Sequence, residues 1–289
     1  MGIRRGTVLI AGRDVGDFFI GALALRLKRL SWHPVVLLEA REIVDAAQTR
    51  LPSLIVIDSG IPYATDLTVE LKCDATMWRI PVLQILPGGD PERWFASFQM
   101  LADSYMRQPF EFSEILAEID AAVKQRDEDE TLRHAAVFRF PNDERSLDRA
   151  SEVATRLFAQ TDLPELEQVQ MCTAFREAVL NAAQHGNHYR PNTRIDVTYT
   201  FDSESVSVTV RDMGEGFAWQ SYFGQDREPI AVCRQQEGSG RPGGLGILLM
   251  NKCVDRIEYN RAGNALRLMK HCGGVAGHRV SATASSDKA

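Results

Sequence analysis

Three stretches of this 289-residue chain carry side chains that packing alone does not call for. The first is Phe175-Arg176-Glu177-Ala178-Val179-Leu180-Asn181-Ala182-Ala183-Gln184-His185-Gly186-Asn187. Glu177 and Asn181 are four residues apart, which on a helix puts both on one face. A carboxylate beside an amide can take a proton and coordinate a hard cation such as Mg²⁺, although an exposed Glu–Asn pair on any helix reads the same in isolation. The second is Asp212-Met213-Gly214-Glu215-Gly216-Phe217. Its alternate glycines let the backbone turn tightly and approach a ligand without Cβ clashes, and its Asp can accept a hydrogen bond from an exocyclic amine. A glycine-rich turn closing a strand is the plainer reading. The third is Gly238-Ser239-Gly240-Arg241-Pro242-Gly243-Gly244-Leu245-Gly246, which opens a helical segment. Backbone N–H groups at such a start bind anions, but a flexible lid with a helix cap has the same composition. Gly238, Gly240 and Gly243 also satisfy G-x-G-x-x-G. No clear strand leads into them, however, and too little chain follows for a Rossmann sheet.

These stretches must be positioned by the elements around them. Arg194–Phe201 and Ser205–Val210 alternate strictly between apolar and polar residues, the pattern of antiparallel strands with one packed and one wet face. Helical segments are predicted at Leu147–Ala159, Glu167–Gln184 and Leu245–Cys253, with closing strands near Arg256–Tyr259 and Ala265–Met269. This half reads as an α+β sandwich with helices on one face. The first 125 residues or so read differently. Apolar runs at Thr7–Ala11, Val35–Leu38, Leu54–Ile57, Val82–Leu86 and a weaker Ser104–Met106 alternate with amphipathic stretches, the last at Ser113–Lys124. Leu54-Ile55-Val56-Ile57 is apolar on both faces, as in a parallel sheet covered by helices on both sides. The expected fold is a doubly wound (βα)5 α/β domain, residues 1–126, followed by the α+β sandwich at 134–272. A charged linker at 127–133 separates them, and a tail at 273–289 reads as disordered.

Composition excludes several classes of function. Lys and Arg number 33 against 39 Asp and Glu, a net charge of −6, so nothing pulls the whole chain toward nucleic acid or anionic lipid. The partners expected are proteins or small ligands. Five scattered cysteines include no C-x-x-C pair, which argues against a disulfide framework or zinc site and suits a reducing cytoplasm. The longest apolar run, Phe18–Leu25, is far too short to span a bilayer. A cytoplasmic protein without direct contact to membrane or nucleic acid is expected.

Taken in order, the three stretches resemble the GHKL ATPase family, closest to its anti-sigma-factor serine kinase branch. The pattern is carried by Glu177-x3-Asn181 with His185-Gly186-Asn187, by Asp212-x-Gly214-x-Gly216, by Gly243-Gly244-x-Gly246, and by Gly263-Asn264-Ala265-Leu266-Arg267-Leu268-Met269-Lys270 as a final strand. The resemblance implies that Glu177 is the general base and that Asn181 holds Mg²⁺. It implies that Asp212 bonds the adenine amine of ATP, with Gly214 and Gly216 making room for base and lid. Gly243, Gly244 and Gly246 would pass the triphosphate close to helix-terminal N–H groups, and Arg241 would touch a phosphate. Phosphoryl transfer needs mainly positioning and charge stabilisation, which these groups can supply.

The first half resembles the receiver domain of two-component response regulators. Leu51-Pro52-Ser53-Leu54-Ile55-Val56-Ile57-Asp58 looks like the phosphoacceptor strand, with Pro62 and Gln108-Pro109-Phe110 in matching places. The departures are specific. Gly12-Arg13 stands where an acidic pair should bind Mg²⁺, leaving only Asp14 nearby. Leu86 stands where Ser or Thr is expected, and Gln108 replaces the lysine. Without acidic metal ligands an aspartyl phosphate has little to neutralise its charge, so Asp58 reads as an inactive acceptor and the domain as a pseudo-receiver for docking or dimerisation.

The leading expectation is a bacterial signalling regulator that binds Mg-ATP and phosphorylates Ser or Thr of an anti-anti-sigma (STAS-type) partner. A sigma factor is a second possible client, and a homodimer is compatible with the sequence. Two rivals are carried: a non-catalytic nucleotide-binding switch, and an atypical histidine-kinase-like protein. The second is weakened because His134 opens a predicted strand and no phosphoacceptor helix pair precedes it.

Overall fold

The computed structural model describes residues 6–14, 17–89, 96–125, 131–219 and 245–273. The chain divides into two compact units, one of Met1–Trp94 with Met100–Ala136, the other of Phe95–Gln99 with Val137–Ala289.

The first unit alternates strands and helices: β1 (Thr7–Ala11), α1 (Phe18–Arg29), β2 (His33–Leu37), α2 (Ala40–Arg50), β3 (Leu54–Asp58), α3 (Ala64–Cys73) and β4 (Val82–Leu86). The two-residue β5 (Gln99–Met100), which no sequence pattern announces, is followed by β6 (Ser104–Arg107) and α4 (Phe112–Gln125). Every pairing in its five-stranded sheet is parallel, in the order β2-β1-β3-β4-β6. Counted along the sheet's own strands this is the 2-1-3-4-5 order of doubly wound folds. Residues on β1, β3 and β4 are buried on both sides of the sheet. Val8, Ile10, Leu54, Val56, Leu83 and Ile85 pack with Leu23 and Ile115, whereas Leu9, Ile55, Ile57 and Val82 pack with Ile43 and Leu67. Asp17 caps α1 by accepting from the N–H groups of Phe19 and Ile20 at 2.8 and 3.2 Å, the role of a helix N-cap.

Polar groups are also buried in this unit. Lys72 Nζ donates to the carbonyls of Trp78 (2.9 Å) and Ile80 (3.2 Å) and pairs with Asp103 at 2.6 Å. His134 stacks on Trp78, centroids 5.5 Å apart, and its Nε2 donates to the Lys72 carbonyl at 2.8 Å. Burial, more than any neighbour, holds the His134 pKa below its usual range; the Lys72 carbonyl and Asp74 act in the opposite sense.

The second unit is built on a sheet of order β10-β11-β9-β8-β7-β5. Its elements are β7 (Leu132–Pro141, of which the residues from Val137 on fall in this unit), α5 (Glu144–Phe158), α6 (Glu165–Asn181), β8 (Arg194–Asp202), β9 (Ser205–Arg211), α7 (Leu245–Cys253), β10 (Arg256–Tyr259) and β11 (Ala265–His271). β8, β9, β11 and β10 pair antiparallel. Ile195, Val197, Tyr199 and Phe201 point inward while Thr198 is exposed, the one-sided sheet that strict alternation requires. Phe158 of α5 meets Phe175 of α6 and Tyr199 of β8 edge-on, at 6.4 and 5.9 Å, so both helices cover the same face. β7 begins at Leu132, so residues 132 and 133, expected in the linker, belong to a strand with alternating burial. α5 starts at Glu144, three residues before the predicted Leu147, because Asp143 caps it through the Ser146 N–H at 3.0 Å. The tail beyond Gly273, residue 126 and linker residues 127–130 lie outside the described residues.

Candidate functional site

Helix α6 has two working faces. Met171, Ala174, Phe175, Ala178 and Val179 recur every three or four residues and are buried. Glu177 and Asn181 stand on its flank, partly exposed. α7 packs against α6, and Gly246 in its first turn comes up to that pair. A Cβ there would stand 2.6 Å from Glu177 Oε2 and 3.4 Å from Asn181 Nδ2. Only glycine lets the α7 backbone come so close to both groups.

Beyond Asn181 the helix widens into one π-helical turn, Ala182–Gly186, a feature common at functional sites. The turn sets Gly186 against the Asp212 carboxyl, where a Cβ would lie 2.5 Å from Oδ1. One continuous run of chain thus touches both sequence motifs, at Glu177 and Asn181 first and at Asp212 next.

Sheet register delivers Asp212 from the other side. Arg211, which ends β9, pairs with Ala265 at the start of β11, so the next residue meets the turn before β11. Three consecutive amides are then held by three different acceptors. Asp212 N–H donates to the Asn264 carbonyl at 3.0 Å, Met213 N–H to Asn187 Oδ1 at 2.8 Å, and Gly214 N–H to Asp212 Oδ1 at 2.7 Å. Asn264 Nδ2 also donates to the Gly214 carbonyl at 3.2 Å. Gly216 has φ +82°, and a Cβ on it would run into the Ala262 carbonyl, which leaves glycine as the residue that fits.

Asp212 Oδ1 is taken by Gly214, while Oδ2 has no protein hydrogen-bond partner among the described residues. Burial pushes the Asp212 carboxyl above its ordinary range, outweighing the Gly214 N–H, its own N–H and the charge of His188. A partly desolvated carboxylate with one spare oxygen is a strong acceptor for a ligand's N–H group. Of the third motif, Gly246 is described and lies at Glu177; Arg241, Gly243 and Gly244 lie outside the described residues. Sequence reasoning assigned no task to Gly186 or Asn187, although both stand in the first motif.

In the first unit, Asp58 ends β3 and Arg13 follows β1, both at the carboxyl edge where doubly wound sheets bind ligands. The Asp58 carboxylate is engaged by the protein itself. Gly60 N–H donates to Oδ1 at 2.8 Å, and Arg13 Nε lies 3.9 Å from Oδ2. A Cβ on Gly60 would overlap the Arg13 guanidinium, so that glycine makes the room Arg13 occupies. Leu86 is buried and Gln108 exposed. A cationic side chain therefore stands beside the aspartate on the edge where an acidic pair would be needed to hold a metal. Among the described residues no three His, Cys, Asp or Glu side chains come together as a metal-binding group, and no helix is long and apolar enough to cross a membrane.

A helix carrying Glu and Asn, packed with a glycine-opened helix over an antiparallel sheet and next to an Asp-x-Gly-x-Gly loop, defines an ATPase domain of the histidine kinase-like type. Residues 140–270 match that family, described as the histidine kinase-like ATPase domain. The anti-sigma F factor of Geobacillus thermodenitrificans is 30% identical over 118 residues, covering 39% of this chain and 75% of the relative. That of Bacillus subtilis is 27% identical over 117 residues with the same coverage. The chain belongs to the histidine kinase-like ATPase family, in its anti-sigma F factor group, and an ATP site is what such a domain implies. Solved structures similar to this chain include the receiver domain of a histidine kinase from Syntrophus aciditrophicus, 21% identical with a TM-score of 0.37, covering 43% of this chain and 95% of that one. A Francisella response regulator receiver domain is 18% identical with a TM-score of 0.35, covering 42% and 98%.

Proposed function

We propose that the second unit binds Mg-ATP and transfers its γ-phosphoryl group to a Ser or Thr hydroxyl of a partner protein of the anti-anti-sigma (STAS) type. The observation that carries this reading is the meeting of Glu177, Asn181 and Gly246, which puts a base, an amide ligand and a helix opening around one point. Asp212 accepts from the adenine amine through its spare oxygen. Glu177 takes the proton of the attacking hydroxyl. Asn181 and the phosphates hold Mg²⁺, which when bound neutralises charge on the transferring group. Gly214 and Gly216 leave space for the base, and Gly246, preceded by Gly243 and Gly244, brings α7 close to the phosphates. Arg241 is a further phosphate contact in this reading. The name of the relatives supports a protein client in the sigma-factor circuit, with a sigma factor as a second one.

The first unit serves this reading as a docking or dimerising module, supported by the engagement of Asp58 by Arg13 and Gly60. Glu177→Gln is the direct test. It should bind Mg-ATP normally and lose transfer to the partner by about 10²-fold or more, the usual scale for a general base. If Glu177→Gln still regulates its target like the wild type, phosphoryl transfer is not the task, and the chain works as a nucleotide-dependent binding switch.

A further inference from the structure

We propose that Asn187 is a positioning residue for base recognition, holding the Asp212 loop in the one orientation that leaves a carboxylate oxygen facing the ligand. The proposal rests on the nucleotide reading above and adds to it a residue with no assigned task.

Asn187 is fully buried, at 0% exposure, and its side chain is saturated. Oδ1 accepts from Met213 N–H at 2.8 Å, while Nδ2 donates to Asn142 Oδ1 at 2.8 Å and to the Arg194 carbonyl at 3.0 Å. Asn142 in turn donates to the carbonyls of Arg190 and Thr193, each at 3.2 Å. The end of β7, the start of β8 and the Asp212 loop are thereby tied through one amide. A buried amide that uses its acceptor and both donors has a single orientation, since a flipped one would leave Met213 N–H facing an NH₂ group.

The consequence falls on Asp212. Its own amide is fixed by Asn264 and the next by Asn187, so the backbone on both sides of its Cα is held. Gly214 N–H then fixes the carboxylate, and Oδ2 alone remains for a ligand. Asn187 is also the last residue before two left-handed non-glycine residues, His188 (φ +52°) and Tyr189 (φ +50°), a conformation that persists only when neighbours over-determine it. The Asn187 carbonyl helps to do so, accepting from Arg190 N–H at 3.0 Å and Arg190 Nε at 3.2 Å.

The test uses the full chain and calorimetric titration with Mg-ATP, Mg-GTP and inorganic tripolyphosphate, the last having no base. Asn187→Leu keeps the branched shape and removes the acceptor, so ATP should bind about tenfold or more weakly. Tripolyphosphate affinity should stay within about twofold, and the preference for ATP over GTP should shrink. Asn187→Asp keeps an acceptor for Met213 N–H and should retain that preference. Asn142→Leu, which removes one of the two acceptors of Asn187 Nδ2 and the bonds to Arg190 and Thr193 but leaves the Met213 bond in place, should lower the melting temperature without changing the ATP:GTP ratio. Should Asn187→Leu not fold, Asn187→Ser, too short to reach the Met213 amide, carries the same expectation. Equal weakening for ATP and tripolyphosphate would mean a merely structural role and overturn the proposal. So would unchanged ATP binding in Asn187→Leu while Asp212→Asn weakens it. A wild type that binds no ATP overturns the nucleotide reading itself, and this proposal with it.

Discussion

Replacing Gly246 by alanine separates catalytic geometry from stability. The added Cβ would stand 2.6 Å from Glu177 Oε2, whereas ordinary contact begins at 3.4 Å, so the carboxylate must retreat by about 0.8 Å to reach the wider contact. The clash is with the far end of a flexible side chain, which can move at little cost to the fold. Alanine also suits a helix better than glycine, by up to about 1 kcal/mol. The two effects nearly cancel in stability, and the melting temperature should move by only a few degrees. Catalysis has no such compensation, because a base displaced by about 1 Å can cost about 10²-fold in rate. The assay is transfer of labelled phosphate from ATP to a STAS-type partner at saturating ATP, with thermal unfolding measured on the same samples. A Gly246→Ala protein that folds and transfers at the wild-type rate would refute Glu177 as the base in this geometry. One that unfolds outright would refute the claim that the contact is soft.

Three further outcomes follow from the same structure. Burial raises the Asp212 pKa, so its ionisation works against the fold: the stability present below its ordinary value of 3.8 is lost as pH rises through the raised value. Asp212→Asn should therefore be at least as stable as the wild type at neutral pH by denaturant titration, while ATP binding falls about 10- to 150-fold with the charged acceptor gone. His134 shifts the other way: its folded pKa lies below 6.5, so the first unit should lose stability as pH falls from 6.5 toward the lowered value. Unfolding midpoints at about pH 7.5 and about pH 5.5 should differ, and the His134→Gln variant should lose its share of that difference. Beryllofluoride with Mg²⁺ should leave the first unit's spectra unchanged because Arg13 and Gly60 already engage Asp58; stable modification of Asp58 would count against the pseudo-receiver reading.

Much of the architecture was legible from local pattern. The doubly apolar Leu54–Ile57 run required a sheet covered on both sides, and strict alternation at Arg194–Phe201 required a one-sided one; both are observed. Helical spacing likewise put Glu177 beside Asn181, since a period of 3.6 residues is a property of the backbone itself. Boundaries were less legible. The capping by Asp143 and the π-turn after Asn181 depend on hydrogen bonds that hydrophobic periodicity does not record.

Residue type and spacing thus determined which side chains this protein has for chemistry and which local elements carry them. Tertiary structure decided what they meet. Gly246 comes to Glu177 only because α7 packs on α6, and Asp212 comes to Asn264 only because β9 and β11 are paired in register. Lysine is a residue type seldom fully buried, yet Lys72 is buried because Asp103 and two carbonyls meet its ammonium. Asn187 is the clearest case. Its type says polar and loop-forming, but its three partners, Asn142, Arg194 and Met213, come from three separate segments, two of them distant along the chain. A buried amide acquires a task only when the fold supplies the groups that saturate it.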